Sequence, residues 1–178
     1  MSLNNYIDNI DLLRSIEKHF DTVKKKILSA KRVVFLGCGG SMSVCGHMAH
    51  DFLKMAGIKT LAPESASLLT CLFNDLKGKA YTQWVKTQCE KGDLLIVVSS
   101  SGNSECTYSA TKYFRENEIG PIVTITGFNP NNKLRSLEGC EHIFINTCSY
   151  GIHETFSEMF LHSILDSILE DQTIEGCF

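Results

Sequence analysis

No stretch of the 178 residues approaches the roughly 20 apolar residues that a membrane-spanning helix needs. The first residues, Met1-Ser2-Leu3-Asn4-Asn5-Tyr6, lack the basic-then-apolar pattern of a secretory leader, so a cytoplasmic protein is expected. Positive charge is not in excess: 17 Lys and Arg stand against 20 Asp and Glu, with the signs interspersed. That removes the basic face nucleic acid requires and the basic cluster that seats a chain on a membrane. No C-x-x-C pair occurs among the eight cysteines, which read as mostly buried, reduced thiols rather than a disulfide framework. The phosphate loop G-x-x-x-x-G-K-[ST] is missing, which argues against a nucleotide triphosphatase. There is also no repeat, linker or low-complexity tract. What remains is one domain, 43% hydrophobic and 21% charged, whose partner is a small molecule or another protein.

Neither Pro nor Gly interrupts residues 3–30, where apolar side chains recur at helical spacing. The pattern predicts one long helix or two, packing either on this domain or on a neighbouring subunit. After this N-terminal extension the chain alternates. Strands are expected at Val33–Leu36, near Thr60-Leu61, at Leu94–Val98, Ile122–Ile125 and His142–Ile145. Helices are expected at Ser41–Met55, Ser65–Phe73, Tyr81–Glu90, Glu105–Asn117, Lys133–Glu138 (short) and Thr155–Leu169, with Asn74-Asp75 in a loop. Strands separated by helices of this length make a doubly wound parallel α/β sheet of about five strands, flavodoxin-like, with helices on both faces. Ligands then bind beyond the carboxyl ends of the strands.

Two loops fall at such ends. Ser99-Ser100-Ser101-Gly102-Asn103-Ser104 follows the strand at Leu94–Val98 and opens a helix, bringing hydroxyls, backbone N–H groups and a helix dipole together, as a phosphate requires. Alone, it reads equally well as a serine-rich helix cap. Gly37-Cys38-Gly39-Gly40-Ser41 repeats the arrangement after the first strand, and the second copy favours the phosphate. It is not a dinucleotide fingerprint, since the third glycine is missing at the expected offset and Pro63-Glu64, after the second strand, stands in no ribose-binding context. Cys38 lies inside this loop at a helix N-terminus, where a thiol pKa tends to fall. No base stands beside it in sequence, and it receives no catalytic role.

His47 and Asp51 are four residues apart on the helix after the glycine loop; Glu154, Glu158 and His162 follow at the same interval on the last helix. Taken singly these are an ordinary histidine and a solvated stripe. Two such faces in a chain with phosphate loops also suit a zinc ion, which takes N and O ligands. A carboxylate and a histidine further suit aldose–ketose isomerisation, which moves a proton between adjacent carbons through an enediol.

The loops G-x-G-G-S and S-x-S-G-N-S resemble those of the sugar isomerase (SIS) domain family, and the spacing from Ser41 through His47, Asp51, Asn74-Asp75 and the serine loop to Glu154 and His162 is similar to its phosphoheptose isomerase branch. The resemblance covers nearly the whole chain. It implies that Ser41, Ser99, Ser101 and Ser104 bind phosphate, with Ser100, Asp75 and Glu154 also beside the substrate. It further implies that Asp51 and His162 are catalytic, and that any zinc is held by His47, Asp51, Glu154 and His162. The implied reaction converts sedoheptulose 7-phosphate to the aldoheptose 7-phosphate of lipopolysaccharide core, in a homotetramer. Five positions depart from the family's pattern: Asp51 stands for Glu, Glu154 for Gln, Cys38 for Asn, Met55 for Arg and Gly151 for Asp. These surround the sugar rather than the phosphate. The alternative is a non-catalytic family member that binds a phosphosugar, or a replication initiator, for regulation. Such a module needs the serines but not Asp51 and His162.

Overall fold

The three middle strands, β1 (Val33–Leu36), β3 (Leu94–Ser99) and β4 (Ile122–Thr126), are buried at every residue. Continuous apolar runs of this kind belong to a parallel sheet covered on both faces. A computed structural model describes residues 3–174 and pairs all five strands in parallel, in the order β2-β1-β3-β4-β5, with β2 at Thr60–Leu61 and β5 at Glu141–Phe144. Cys177 lies outside the described residues. Side chains alternate between two cores. Val33, Phe35, Ile96 and Val98 pack with helices α3, α4 and α8, while Val34, Leu36, Leu95 and Val97 pack with α6 and α7. Here α3 is Phe20–Ser29, α4 Gly40–Ala56, α6 Ala80–Gln88, α7 Glu105–Glu116 and α8 Tyr150–Ile174.

This order has a functional consequence. The chain leaves β1 through α4 on one face and leaves the adjacent β3 through α7 on the other, so the two loops part between neighbouring strands. That is the switch point where doubly wound sheets open a crevice. The opposite end of the sheet is closed by an ion pair in which the half-buried Arg32 donates from Nε and Nη2 to both oxygens of the buried Asp93 at 3.0 and 2.6 Å.

Several expectations shift. The N-terminal segment is three helices, α1 (Asn4–Asp8), α2 (Asp11–Ile16) and α3, with a 3₁₀ turn at Glu17–His19. The first break falls at Asn9, whose side-chain amide donates to the Asn5 carbonyl at 2.6 Å and so competes with the helical ladder. The 3₁₀ turn carries His19, whose Nδ1 lies 2.5 Å from Glu141 at the start of β5. Asn74 and Asp75 are not in a loop: α5 runs Ala66–Leu76, begun by Ser65, whose hydroxyl accepts from the Leu68 amide. Phe73 stacks edge-on against Tyr81 at 5.3 Å, a contact that carries α5 past the weak helix formers before it ends. The last helix begins at Tyr150, five residues earlier than expected, and the Lys133–Glu138 segment is only a 3₁₀ turn at Leu134–Ser136. No helix among the described residues is long and apolar enough to cross a membrane.

Candidate active site

At the carboxyl ends of β1 and β3 the glycine and serine loops enclose a cleft of about 270 Å³, lined on one side by Cys38, Gly39, Gly40 and Ser41 and on the other by Ser99, Ser100, Ser101 and Ser104. Tyr150 and Glu154 of α8 close it. Two glycines shape this turn. Gly39 sits at φ +60° with ψ −129°, which side chains rarely adopt, and a Cβ on Gly40 would displace the Glu154 carboxylate. Tyr81 reaches in from α6 to donate a hydrogen bond to the Gly37 carbonyl at 2.8 Å, which fixes the turn. The lining contains no Lys or Arg. An anion is therefore met by hydroxyls, by backbone amides and by the positive ends of α4 and α7.

The serines are not equivalent. Ser99 and Ser41 are buried in the cleft walls, and the Ser41 hydroxyl lies 3.4 Å from Glu154. The Ser101 hydroxyl accepts from the Asn103 amide at 3.2 Å and so shapes the loop as well as lining it. Ser100 is tied from behind to Nδ1 of His153 at 3.1 Å, a fully buried residue that sequence spacing gave no reason to choose. Burial pushes the His153 imidazole down to about 4, so it is neutral at pH 7.

Helices α4 and α8 both start at the cleft and run side by side away from it. Their facing residues pair in step: Ser41 with Glu154, His47 with Glu158, and Asp51 with His162. A second cavity of about 470 Å³ follows this seam, lined by His47 and Glu158, and shares Gly40 and Glu154 with the first. One turn beyond His47, past the residues that line this cavity, Asp51 Oδ2 lies 3.1 Å from His47 Nε2 and 3.2 Å from His162 Nε2. One ligand atom from each of these three residues falls within 4.8 Å of the others, a set that could hold a metal ion.

Glu154 is not in this set. It sits eight residues before His162, about 12 Å along the helix, and faces the glycine loop instead. Glu158 takes the place beside the histidines, with Oε1 2.5 Å from His47 Nδ1. A carboxylate on the second ring nitrogen is what orients a metal-binding imidazole and leaves Nε2 free for the ion. Asp75 is likewise away from both cavities, exposed near the end of α5, where its carboxylate accepts from the Asn74 amide. The expected fall in the Cys38 thiol pKa is reversed. Cys38 Sγ lies 2.9 Å from Cys106 Sγ, and holding the shared proton raises Cys38 while lowering Cys106.

Residues 2–127 match the model of the SIS domain. Phosphoheptose isomerase from Cytophaga hutchinsonii is 25% identical over 173 residues, covering 94% of this chain and 88% of that one. The Burkholderia pseudomallei enzyme of the same name is 30% identical over 137 residues, covering 73% and 68%. Among solved structures, phosphoheptose isomerase from Neisseria gonorrhoeae superposes with a TM-score of 0.81 over 93% of this chain and 96% of that one, at 19% identity. Parallel order, switch-point cleft and sequence match agree, and the chain belongs to the SIS domain family.

Proposed function

We propose that this chain is a phosphosugar aldose–ketose isomerase of the phosphoheptose isomerase type. One relation carries the reading: a cation-free phosphate cradle and a carboxylate–imidazole pair lie on one continuous seam. Ser41 and His47 are six residues apart on α4, about 9 Å along the axis, and the Asp51 carboxylate folds back to the level of His47. The phosphorus and C1 of an open-chain heptose 7-phosphate are separated by eight bonds, about 9–10 Å at the rise per bond of an extended chain. A triose phosphate spans about half of that and would not reach. With the phosphate among Ser99, Ser101 and Ser104, C1 and C2 of a long sugar arrive beside the Asp51–His162 pair.

There the chemistry is a proton transfer. One of Asp51 and His162 takes the proton from the carbon bearing the hydroxyl and returns it to the adjacent carbon. The other moves the hydroxyl proton to the carbonyl oxygen, so ketose and aldose interchange through the enediol with no net change in atoms. Glu154, between the two ends, offers acceptor oxygens to the sugar hydroxyls. His47, Asp51 and His162, with Glu158 behind His47, are the donor set that suits zinc. When bound, zinc polarises the carbonyl and stabilises negative charge on its oxygen.

The reading includes a homotetramer in the cytoplasm. Ile7, Ile10, Leu53 and Met55 are exposed apolar side chains on a single chain, and light scattering should return four times the 19.8 kDa chain mass. The activity test is incubation with a panel of ketose phosphates in deuterated water, followed by isomer separation and mass analysis. Isomer formation with deuterium at the shuttled carbon supports an enediol. Binding without turnover on every sugar would favour the regulatory alternative.

A further inference from the structure

The glycine loop and the first turn of α7 are 68 residues apart in sequence, yet they meet through two sulfurs. Cys38 Sγ and Cys106 Sγ lie 2.9 Å apart, and Ser104 Oγ bridges them at 3.6 and 3.1 Å. No other pair of cysteines among the described residues is in contact, although Cys45, Cys71, Cys89, Cys140 and Cys148 are all free thiols. Cys38 is half-buried and lines the cleft between the two loops, and the buried Cys106 lies directly behind it, so the cleft is the route by which a small oxidant reaches the pair. We propose that Cys38 and Cys106 are a peroxide-reactive dithiol that closes to an intramolecular disulfide, tying the loop after β1 to the helix after β3.

The local chemistry favours this pair over the remaining cysteines. Cys106 stands in the first turn of a twelve-residue helix, where the dipole favours an anion, and accepts hydrogen bonds from Cys38 and Ser104, which lower its thiol pKa. Burial pushes Cys45 and Cys89 the other way, up to about 12. The Cys106 thiolate attacks one peroxide oxygen; the S–O bond forms, the O–O bond breaks, and the departing hydroxide takes a proton to become water. Cys38 then attacks the sulfenic sulfur. The S–S bond forms, the S–O bond breaks, and the second hydroxide leaves as water with the Cys38 proton. Two thiols are oxidised and one peroxide is reduced to two waters. The sulfurs have about 0.9 Å to close to bonding distance.

The full chain, reduced and freed of reductant, is treated with equimolar hydrogen peroxide, alkylated, and digested without reductant for mass analysis. The expected product is a Cys38–Cys106 linked peptide, lighter by two hydrogens than its parts and fully reversed by dithiothreitol. Cys38→Ser and Cys106→Ser should each abolish it. The cross-link is read on the unaltered chain, so the test stands even where a variant fails to fold. Recovery of both cysteines alkylated after excess peroxide would overturn the proposal. So would irreversible oxidation of Cys106 without the cross-link, or a link between a different pair.

Discussion

His162 Nε2 and Asp51 Oδ2 stand 3.2 Å apart although 111 residues separate them, because α4 and α8 run together from the same cleft. If they share the proton transfers, Asp51→Asn and His162→Gln should each lower turnover at least about a hundredfold. Phosphosugar affinity should hold, since the serine loops are untouched. Asp51→Glu tests the shorter carboxylate: in a seam fitted to Asp, it should change the rate or the preferred sugar. Steady-state kinetics alongside calorimetric binding separates these outcomes, and wild-type turnover in both loss variants would remove the pair from the mechanism.

The metal prediction follows from the same three residues. Protein purified without chelator should carry close to one zinc per chain by elemental analysis, and His47→Ala should remove most of it. Glu158→Gln should weaken zinc about 10- to 100-fold, since it loosens the His47 ring without removing a ligand. Glu154→Gln should leave metal content unchanged. Equal zinc loss from Glu154→Gln and His47→Ala would restore Glu154 to the ligand set.

Charge-assisted hydrogen bonds to a phosphate dianion are worth about 1.5–3 kcal/mol each. Ser99→Ala with Ser104→Ala should therefore weaken phosphosugar binding by several kcal/mol at most, read by calorimetry. Ser101→Ala should cost binding and also loosen the loop, because its hydroxyl holds the Asn103 amide. Unchanged affinity in the double variant would move the phosphate elsewhere.

The parts of this site legible in the sequence are those that depend on local order. A strand, a glycine turn and a helix start are contiguous, so both loops of the cleft could be read, and parallel strand order brought them together. The helical interval placed Glu154, Glu158 and His162 on one stripe. It could not say which of them meets His47, because a stripe drifts about 40° for every four residues and only the neighbouring helix decides the level. Pairs such as Cys38 with Cys106, or Ser100 with His153, join residues far apart in sequence and leave no local trace. The loop expected at Asn74-Asp75 gave way differently, since weak helix formers at 74 and 75 read as a loop until the packing of Phe73 on Tyr81 is known.

His153 supplies the last prediction, which concerns stability rather than turnover. Its ring is fully buried against Ser100 at the back of the serine loop, and burial lowers its proton affinity from the ordinary value of 6.5 to about 4. Between those values the unfolded chain binds a proton that the folded chain refuses, so stability rises with pH across that window. The contribution is complete above pH 6.5, declines as pH falls toward 4, and is gone below that. At about 1.4 kcal/mol for each tenfold change in proton affinity, the loss is on the order of 3 kcal/mol. Urea unfolding at a series of pH values should show the midpoint falling between pH 6.5 and 4. In His153→Gln, which keeps an amide that can bond Ser100 but cannot titrate, that fall should flatten even if the variant is weaker at pH 7. An acid limb of equal steepness in both proteins would assign the loss to other groups.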